Sequence, residues 1–395
     1  MKKIYALGLL LPLLLVSCSE KKQDSSLSKS QFDPEVGYYI ANLSSSGDNY
    51  YTEAQFNYLN NDNPTDTTPY NGNMSVSAPL PKVLSWDGNL DEYKVNIYSD
   101  DYLQDLVVSY VTSENSFEFY NGELEKNYYW TVSSVDGTLV SECSDLFIAR
   151  QVTGPRNLKI DGVENIRDIG AWEINDGGEF KKLIKQGMIY RSGRFNEEKV
   201  DTINPTITEE GLYEVNNHLK IKTEIDLRRT GTNEVGALTD TSVLGEDVNY
   251  VQLPMIYEGQ NILTYQGRAP RGGDDYIYDN PAKIKEFFTI LSDIDNYPVN
   301  FHCSIGKDRT GCLAYLLEAL MGFDEELLMR DYMFTNFANA GLCKPADITG
   351  TGRYVPTLTS YEHGDTLQEK VYNYLQNEVD ISKATLDSVI DILKA

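Results

Sequence analysis

The side chains able to do chemistry are concentrated in His302-Cys303-Ser304-Ile305-Gly306-Lys307-Asp308-Arg309-Thr310-Gly311. A cysteine and an arginine stand at either end of a short loop with a glycine inside it. Before the loop, Tyr297-Pro298-Val299-Asn300-Phe301 reads as a short buried strand. After it, the mostly apolar run from Cys312 to Met321 is long enough for a helix. Strand, tight loop and helix start together make an anion site. Successive backbone N–H groups turn inward as a nest, and the helix N-terminus adds partial positive charge. A thiol in such surroundings has its pKa lowered to roughly 3.5–7.5 from about 8.5, so Cys303 is expected as a thiolate nucleophile. Arg309 has the planar fork that holds two oxygens of a phosphate, a geometry lysine cannot copy. Thr310 is placed to donate a hydrogen bond to the Cys303 sulfur, and His302 to order the loop from behind. The amides of Ser304, Ile305, Gly306, Lys307 and the residues up to Arg309 are expected to hold the other phosphoryl oxygens. The chemistry implied is displacement at phosphorus through a phosphocysteine, then hydrolysis.

Such a loop must be held by a scaffold that ends a strand and starts a helix at one point. From Pro155 onward the chain supplies that alternation. Thr206 or Thr208 can cap a helix running from Glu209 to His218. Lys222 to Leu227 and Asn249 to Leu253 read as strands. Ile284, Phe287, Phe288, Leu291 and Ile294 fall on one helical face ahead of the Val299–Phe301 strand. Strands alternating with helices predict an α/β domain, a mainly parallel sheet flanked by helices, with the loop beyond the carboxyl end of a strand. Residues 36–150 have another rhythm, short alternating strands broken by Gly, Asn, Asp and Pro. Val83 to Trp86, the Tyr93/Val95/Ile97 alternation and the Tyr128/Trp130/Val132 alternation predict a small all-β sandwich. Asn60 to Gly72 is a polar loop without strand signal. Gln151 to Arg156, with Gly154-Pro155, reads as a linker.

The loop sequence resembles that of the cysteine-dependent protein tyrosine phosphatase superfamily, and Gly306-Lys307-Asp308-Arg309-Thr310-Gly311 that of its atypical bacterial tyrosine and phosphoinositide phosphatases. Four further stretches, in the family's order over about 155–395, carry the resemblance. They are Asn165-Ile166-Arg167-Asp168-Ile169-Gly170, Tyr190-Arg191-Ser192-Gly193, Glu224-Ile225-Asp226-Leu227-Arg228 with Glu234, and Asp331-Tyr332 with Thr335-Asn336. The resemblance implies a tyrosine-phosphatase-like catalytic domain over 155–395 that needs no cofactor. It implies Asp308 as general acid, with Asp274 or Asp275 as alternatives on a loop before the cysteine. It also implies that Lys307 offers a second cation to substrates with more than one phosphate. Arg191, with Arg194, Arg228 and Arg229, either enriches the pocket or pairs with Asp168, Asp226 or Glu234. Arg167–Asp168 and Asp226 are expected to be mainly structural, and Arg268 and Arg271 could belong to a lid. Residues 36–150 resemble a fibronectin type III or immunoglobulin-like domain, a spacer or a docking module for an unknown surface partner.

Met1-Lys2-Lys3, the apolar run from Ile4 to Val16 and Leu15-Val16-Ser17-Cys18 read as a bacterial lipoprotein signal. Residues 1–17 would be removed and Cys18 would carry the lipid, followed by a flexible tether over 18–35. The expected place of work is therefore the cell envelope, outside the cytoplasmic membrane. Cys143, Cys312 and Cys343 make no disulfide framework, and His218, His302 and His363 are too scattered for a metal site. With 34 Lys and Arg against 60 Asp and Glu the formal net charge is −26, which argues against nucleic acid as a partner. A phosphate substrate must then be caught by a local positive pocket. That substrate is expected to be a phosphotyrosine protein, with a phosphoinositide or inositol polyphosphate as the alternative. A surface lipoprotein that only binds phospho-ligands is the other alternative; the intact Cys303 and Arg309 weigh against it.

Overall fold

The computed structural model describes residues 37–70, 77–176, 179–197, 206–229, 241–257, 261–270, 275–339 and 342–395. The expected signal, the tether with Cys18, and Arg271, Asp274 and Glu234 lie outside these residues. The chain divides into two compact units.

The first unit contains β1 (Ile40–Ser46), β2 (Lys82–Gly88), β3 (Tyr93–Tyr98), β4 (Leu106–Thr112), β5 (Ser116–Phe119), β6 (Asn127–Ser134) and β7 (Ser144–Phe147). They form two antiparallel sheets, in the orders β1-β2-β5 and β4-β3-β6-β7. Tyr93, Val95 and Ile97 on β3, and Tyr128, Trp130 and Val132 on β6, are all buried, as their period of two predicts. Trp86 on β2 meets Tyr93 and Trp130 edge-on, with ring centroids 5.3 and 6.4 Å away, so the core lies between the two sheets.

The sandwich is not continuous over 36–150, however. Residues 47–81 and 120–125 belong to the second unit, together with 149–395. The physical reason is that 47–81 has no strand alternation. It forms α1 (Glu53–Leu59), closed by a Thr52 capping box, and buries Tyr58 and Tyr70 in the second unit instead.

The second unit is built on six strands: β8 (Arg156–Asn157), β9 (Arg167–Asp168), β12 (Ile189–Ser192), β13 (Thr223–Asp226), β14 (Asn249–Gln252) and β17 (Val299–His302). Two hairpins, β10 (Glu173–Asp176) with β11 (Glu179–Lys182) and β15 (Gln266–Arg268) with β16 (Ile277–Asp279), lie outside that sheet. The sheet order is β14-β13-β17-β12-β9-β8. Its first four members are parallel; at one edge β9 runs antiparallel to β12, and β8 antiparallel to β9. The register sets Ser192 and Asp226 level with His302 on either side of β17. Cys303 therefore leaves the sheet just beyond the carboxyl ends of three neighbouring strands.

Thr208 caps α2 (Glu209–Tyr213), accepting from the Gly211 amide at 3.1 Å. α3 (Asn280–Leu291) buries Ile284, Phe287, Phe288 and Leu291, as their spacing predicts. Ile294 does not join them: the helix ends at Leu291, and Ile294 is 54 % exposed in a following 3-10 turn. α4 (Arg309–Leu320) is buried along its whole length. It starts earlier than the apolar run suggests because the Gly311 and Cys312 amides already bond the Lys307 and Asp308 carbonyls. α5 (Glu325–Phe334) follows, capped by Asp324.

Candidate active site

The loop from Cys303 to Asp308 owes its shape to its carbonyls. The Ser304 carbonyl accepts from the Arg194 amide at 3.1 Å. The Ile305 carbonyl accepts from Asn165 Nδ2 at 3.0 Å and the Gly306 carbonyl from Arg191 Nη2 at 2.9 Å. In a trans peptide the C=O and the following N–H point opposite ways. Drawing three successive carbonyls outward therefore turns the amides of Ile305, Gly306 and Lys307 to the other side, as an anion nest requires. Gly306 sits at φ +71°, and a Cβ there would lie 2.6 Å from the Ser192 carbonyl. Only glycine fits.

Behind the loop stands a buried ionic framework. Arg167 Nε reaches Asp331 Oδ1 at 2.8 Å, and Arg191 Nη1 pairs with Asp331 Oδ2. Arg167 Nη1 also donates to Asn165 Oδ1 at 2.6 Å, which holds that side chain on the loop. Arg156, not Arg167, pairs with Asp168, at 2.7 Å. Arg228 pairs with Asp226 at 2.7 Å and donates to Asn196 Oδ1 at 2.6 Å. His302 bonds Glu224 through Nε2 at 2.9 Å and meets the Cys303 carbonyl through Nδ1 at 3.1 Å, a place behind the loop. Arg191 was expected among the phosphate-binding residues. The structure places it here instead, 1 % exposed and committed to Asp331 and the Gly306 carbonyl.

In front, Cys303 is 1 % exposed and Arg309 opens α4. The Arg309 guanidinium is oriented by the Leu227 and Met255 carbonyls, at 3.3 and 3.4 Å from Nη1, and lies 5.0 Å from the Tyr257 ring centroid. Thr310 Oγ1 is buried and has no hydrogen-bond partner, so the expected bond to Cys303 is not formed. Lys307 is no free cation on the rim: its Nζ pairs with Asp347 at 3.2 Å and donates to the Leu342 carbonyl at 3.3 Å. Asp308 does not cap α4 with its side chain. It lines a small recess with Tyr257, Asp347, Arg353 and Tyr354. Asp275 is outside that recess; its side chain is 92 % exposed and ion-paired with Arg268.

A family model described as "Tyrosine phosphatase family" matches residues 158–394. The chain belongs to that family. The match begins just after β8 and takes in β9 with Arg167, the whole loop and α4. The phosphatase is 27 % identical over 203 residues to a protein of Cupriavidus necator named "Putative tyrosine-protein phosphatase", covering 49 % of this chain and 67 % of that one. Among solved structures, the core catalytic domain of the PP-IP phosphatase SIW14 from S. cerevisiae aligns at TM-score 0.26 and 17 % identity, over 42 % of this chain and 80 % of the other. P. aeruginosa TpbA aligns at TM-score 0.24 and 17 % identity, over 39 % and 74 %. The protein is a cysteine-dependent phosphatase.

Charge is distributed unevenly around the phosphatase's loop. Burial pushes the Asp308 carboxyl above its ordinary value and Asp347 adds to the shift, against Lys307, Arg309 and Arg353. That is the direction a general acid needs. Burial also works against Asp226 and Asp331, but Arg228 and His302 outweigh it at the first, and Arg167 and Arg191 at the second. Both carboxyls stay below the usual range. Glu318, buried beside Asp331, goes the other way, raised by burial and by the Asp331 charge. Burial alone raises the Cys312 thiol, in keeping with a small buried apolar role.

A groove of about 380 Å³ runs along the other flank of the loop, lined by Glu164, Arg194, Thr206, Ser304, Ile305 and Asn339. A larger cavity of about 1110 Å³, lined by Arg150, Glu173, Lys182, Met321, Gln368 and Ile390 among others, includes no loop residue. Three functional placements had gone unassigned in the sequence. Asn165 and Asp331 stood inside quoted motifs without a role, and Asp347 carried no local signal at all.

Proposed function

We propose that this phosphatase removes phosphate from phosphotyrosine in proteins, working outside the cytoplasm on a lipid carried by Cys18. The observation that carries the reaction is the pairing of Cys303 and Arg309 across a loop whose carbonyls are pulled away from the pocket. The Cys303 sulfur attacks phosphorus, the bond from phosphorus to the leaving oxygen breaks, and Asp308 gives that oxygen its proton. Water then attacks the phosphocysteine, Asp308 takes a proton back, and inorganic phosphate leaves with the thiolate restored. Arg309 and the loop amides meet the charge that spreads over the phosphoryl oxygens in each transition state.

Two observations favour a phosphotyrosine protein over a polyphosphate. The C. necator relative is named "Putative tyrosine-protein phosphatase". Lys307, the cation that a second phosphate would use, is already held by Asp347. The groove beside Ser304 and Ile305 leaves room for residues flanking the phosphotyrosine. For the anchor, the support is the Leu15-Val16-Ser17-Cys18 sequence after a basic start and an apolar run. Among the described residues no helix is long and apolar enough to cross a membrane. The seven-strand, two-sheet unit around Trp86 supports a fibronectin type III-like spacer or docking module.

The test is phosphate release under reducing conditions from a phosphotyrosine peptide, a phosphoserine peptide, phosphoinositides and inositol hexakisphosphate. Preference for the phosphotyrosine peptide, with turnover lost on the order of 10⁴-fold or more in Cys303→Ser, is the expected result. Preference for an inositol lipid or polyphosphate would replace the substrate. Labelling of cells with a radioactive fatty acid, lost in Cys18→Ala, checks the anchor.

A further inference from the structure

Residues 47–81 precede most of the sandwich in sequence yet fold with the catalytic unit, and they lie outside residues 158–394 that the family model matches. Both ends of the segment are fastened to Asn157 on β8. The Tyr50 hydroxyl donates to the Asn157 carbonyl at 2.5 Å, and Asn157 Nδ2 donates to the Ser77 carbonyl at 2.6 Å. Between these ends the segment grips α5 at two levels. The Tyr58 hydroxyl donates to the Arg330 carbonyl at 3.2 Å, and the Arg330 guanidinium reaches back to the Tyr58 carbonyl at 3.1 Å and to the Asn61 carbonyl. One turn on, the Tyr58 ring lies 6.5 Å from Phe334 and the Tyr70 ring 4.5 Å from Phe337. Phe334 in turn lies 5.9 Å beneath the Arg167 guanidinium.

The residue after Arg330 is Asp331, the buried carboxylate shared by Arg167 and Arg191. Arg191 holds the Gly306 carbonyl, and Arg167 holds Asn165, which holds the Ile305 carbonyl. Tyr58 is thus joined to two carbonyls of the phosphate loop by an unbroken series of bonds and ring contacts. We propose that segment 47–81 is a clamp that positions the phosphate loop, acting through α5 and Asp331. Tyr58, Tyr70 and Arg330 are then positioning residues: none touches the substrate, and each fixes where Asp331 stands. A shift of the loop by about 1 Å can cost on the order of a hundredfold in rate, whereas a shell that is merely tolerated moves stability alone.

The experiment uses the full chain and the variants Tyr58→Phe, Tyr70→Ala and Arg330→Met. Tyr58→Phe keeps the ring and removes only the hydroxyl that grips Pro64 and Arg330. Three quantities are read: kcat and KM on p-nitrophenyl phosphate, the rate at which iodoacetamide alkylates Cys303, and the thermal midpoint. Cys312 and Cys343 are buried, and Cys303→Ser gives the background. The clamp predicts a kcat lower by about tenfold to a hundredfold with KM nearly unchanged, and slower alkylation of Cys303. Unchanged kcat and alkylation in variants that melt earlier would overturn it, leaving the segment a structural prop. Should Tyr70→Ala fail to fold, Tyr58→Phe decides alone. Should the unmodified protein turn over no phosphate ester, the phosphatase reading fails while the alkylation rates still judge the clamp.

Discussion

Both units of this chain have apolar cores, and they differ in the charge they bury beside them. The core of the sandwich is apolar and aromatic, with Trp86, Tyr93, Val95, Ile97 and Trp130 buried together. The catalytic unit buries Arg156, Arg167, Arg191, Arg228 and Arg309 at 2 % exposure or less, along with Asp168, Asp226 and Asp331. Apolar packing stabilises at roughly 25 cal/mol per Å² removed from water, whereas a buried ion pair often contributes no more than well-packed apolar groups would. The catalytic unit therefore gains direction rather than stability from its charges. A guanidinium fork fixes the angle as well as the distance to its partner, and the phosphate loop is suspended from two such forks.

The contrast can be broken most severely at Asp331. Asp331→Asn leaves Arg167 and Arg191 buried without their shared anion, and is expected to destabilise the catalytic unit by about 3–5 kcal/mol in denaturant unfolding. Survival of full stability would mean that the network is not the framework described. Next comes Asp347→Asn. Burial, and with it the Asp347 charge, holds Asp308 above its ordinary value, so its acid form, and the kcat that the proposed acid role would support, is lost as pH rises through that raised value. Removing the Asp347 charge lets Asp308 fall back, and the alkaline limb of the kcat profile moves to lower pH. A limb that stays in place removes Asp308 as its source.

A smaller change is expected in the sandwich. Ile97→Val deletes one buried methyl and is expected to cost about 0.5–1.5 kcal/mol with kcat unaltered. An altered kcat would show that the two cores are not energetically separate. The smallest effect is predicted at Glu318. Burial and the Asp331 charge raise its carboxyl well above the ordinary range, so Glu318→Gln removes a charge that its surroundings already disfavour and keeps the shape of the side chain. A stability change within about 0.5 kcal/mol is expected; a loss like that of Asp331→Asn would show that Glu318 is ionised.

What was legible in the sequence was local. The loop, its strand, the Thr208 cap and the apolar face of α3 each depend on residues within a few positions of one another. What escaped depends on the order of the sheet. Arg191 finds Asp331 140 residues away and Gly306 115 residues away, and nothing near Arg191 says which carboxylate it will meet. Tyr58 and Arg330 are 272 residues apart, and the segment holding Tyr58 has neither the alternation of a strand nor the length of an ordinary amphipathic helix. Lys307 looked free because its partner, Asp347, sits on a turn of helix after α5 that carries no motif.

Between residues 46 and 149 the chain passes from one unit to the other five times. A single protease cut between 148 and 149 would leave Tyr58 and Tyr70 on the same fragment as the sandwich, and α5 on the other. Recombination meets the same obstacle. No single crossover point in the gene parts a whole sandwich from a whole catalytic unit, so the pair is expected to be inherited together and lost together.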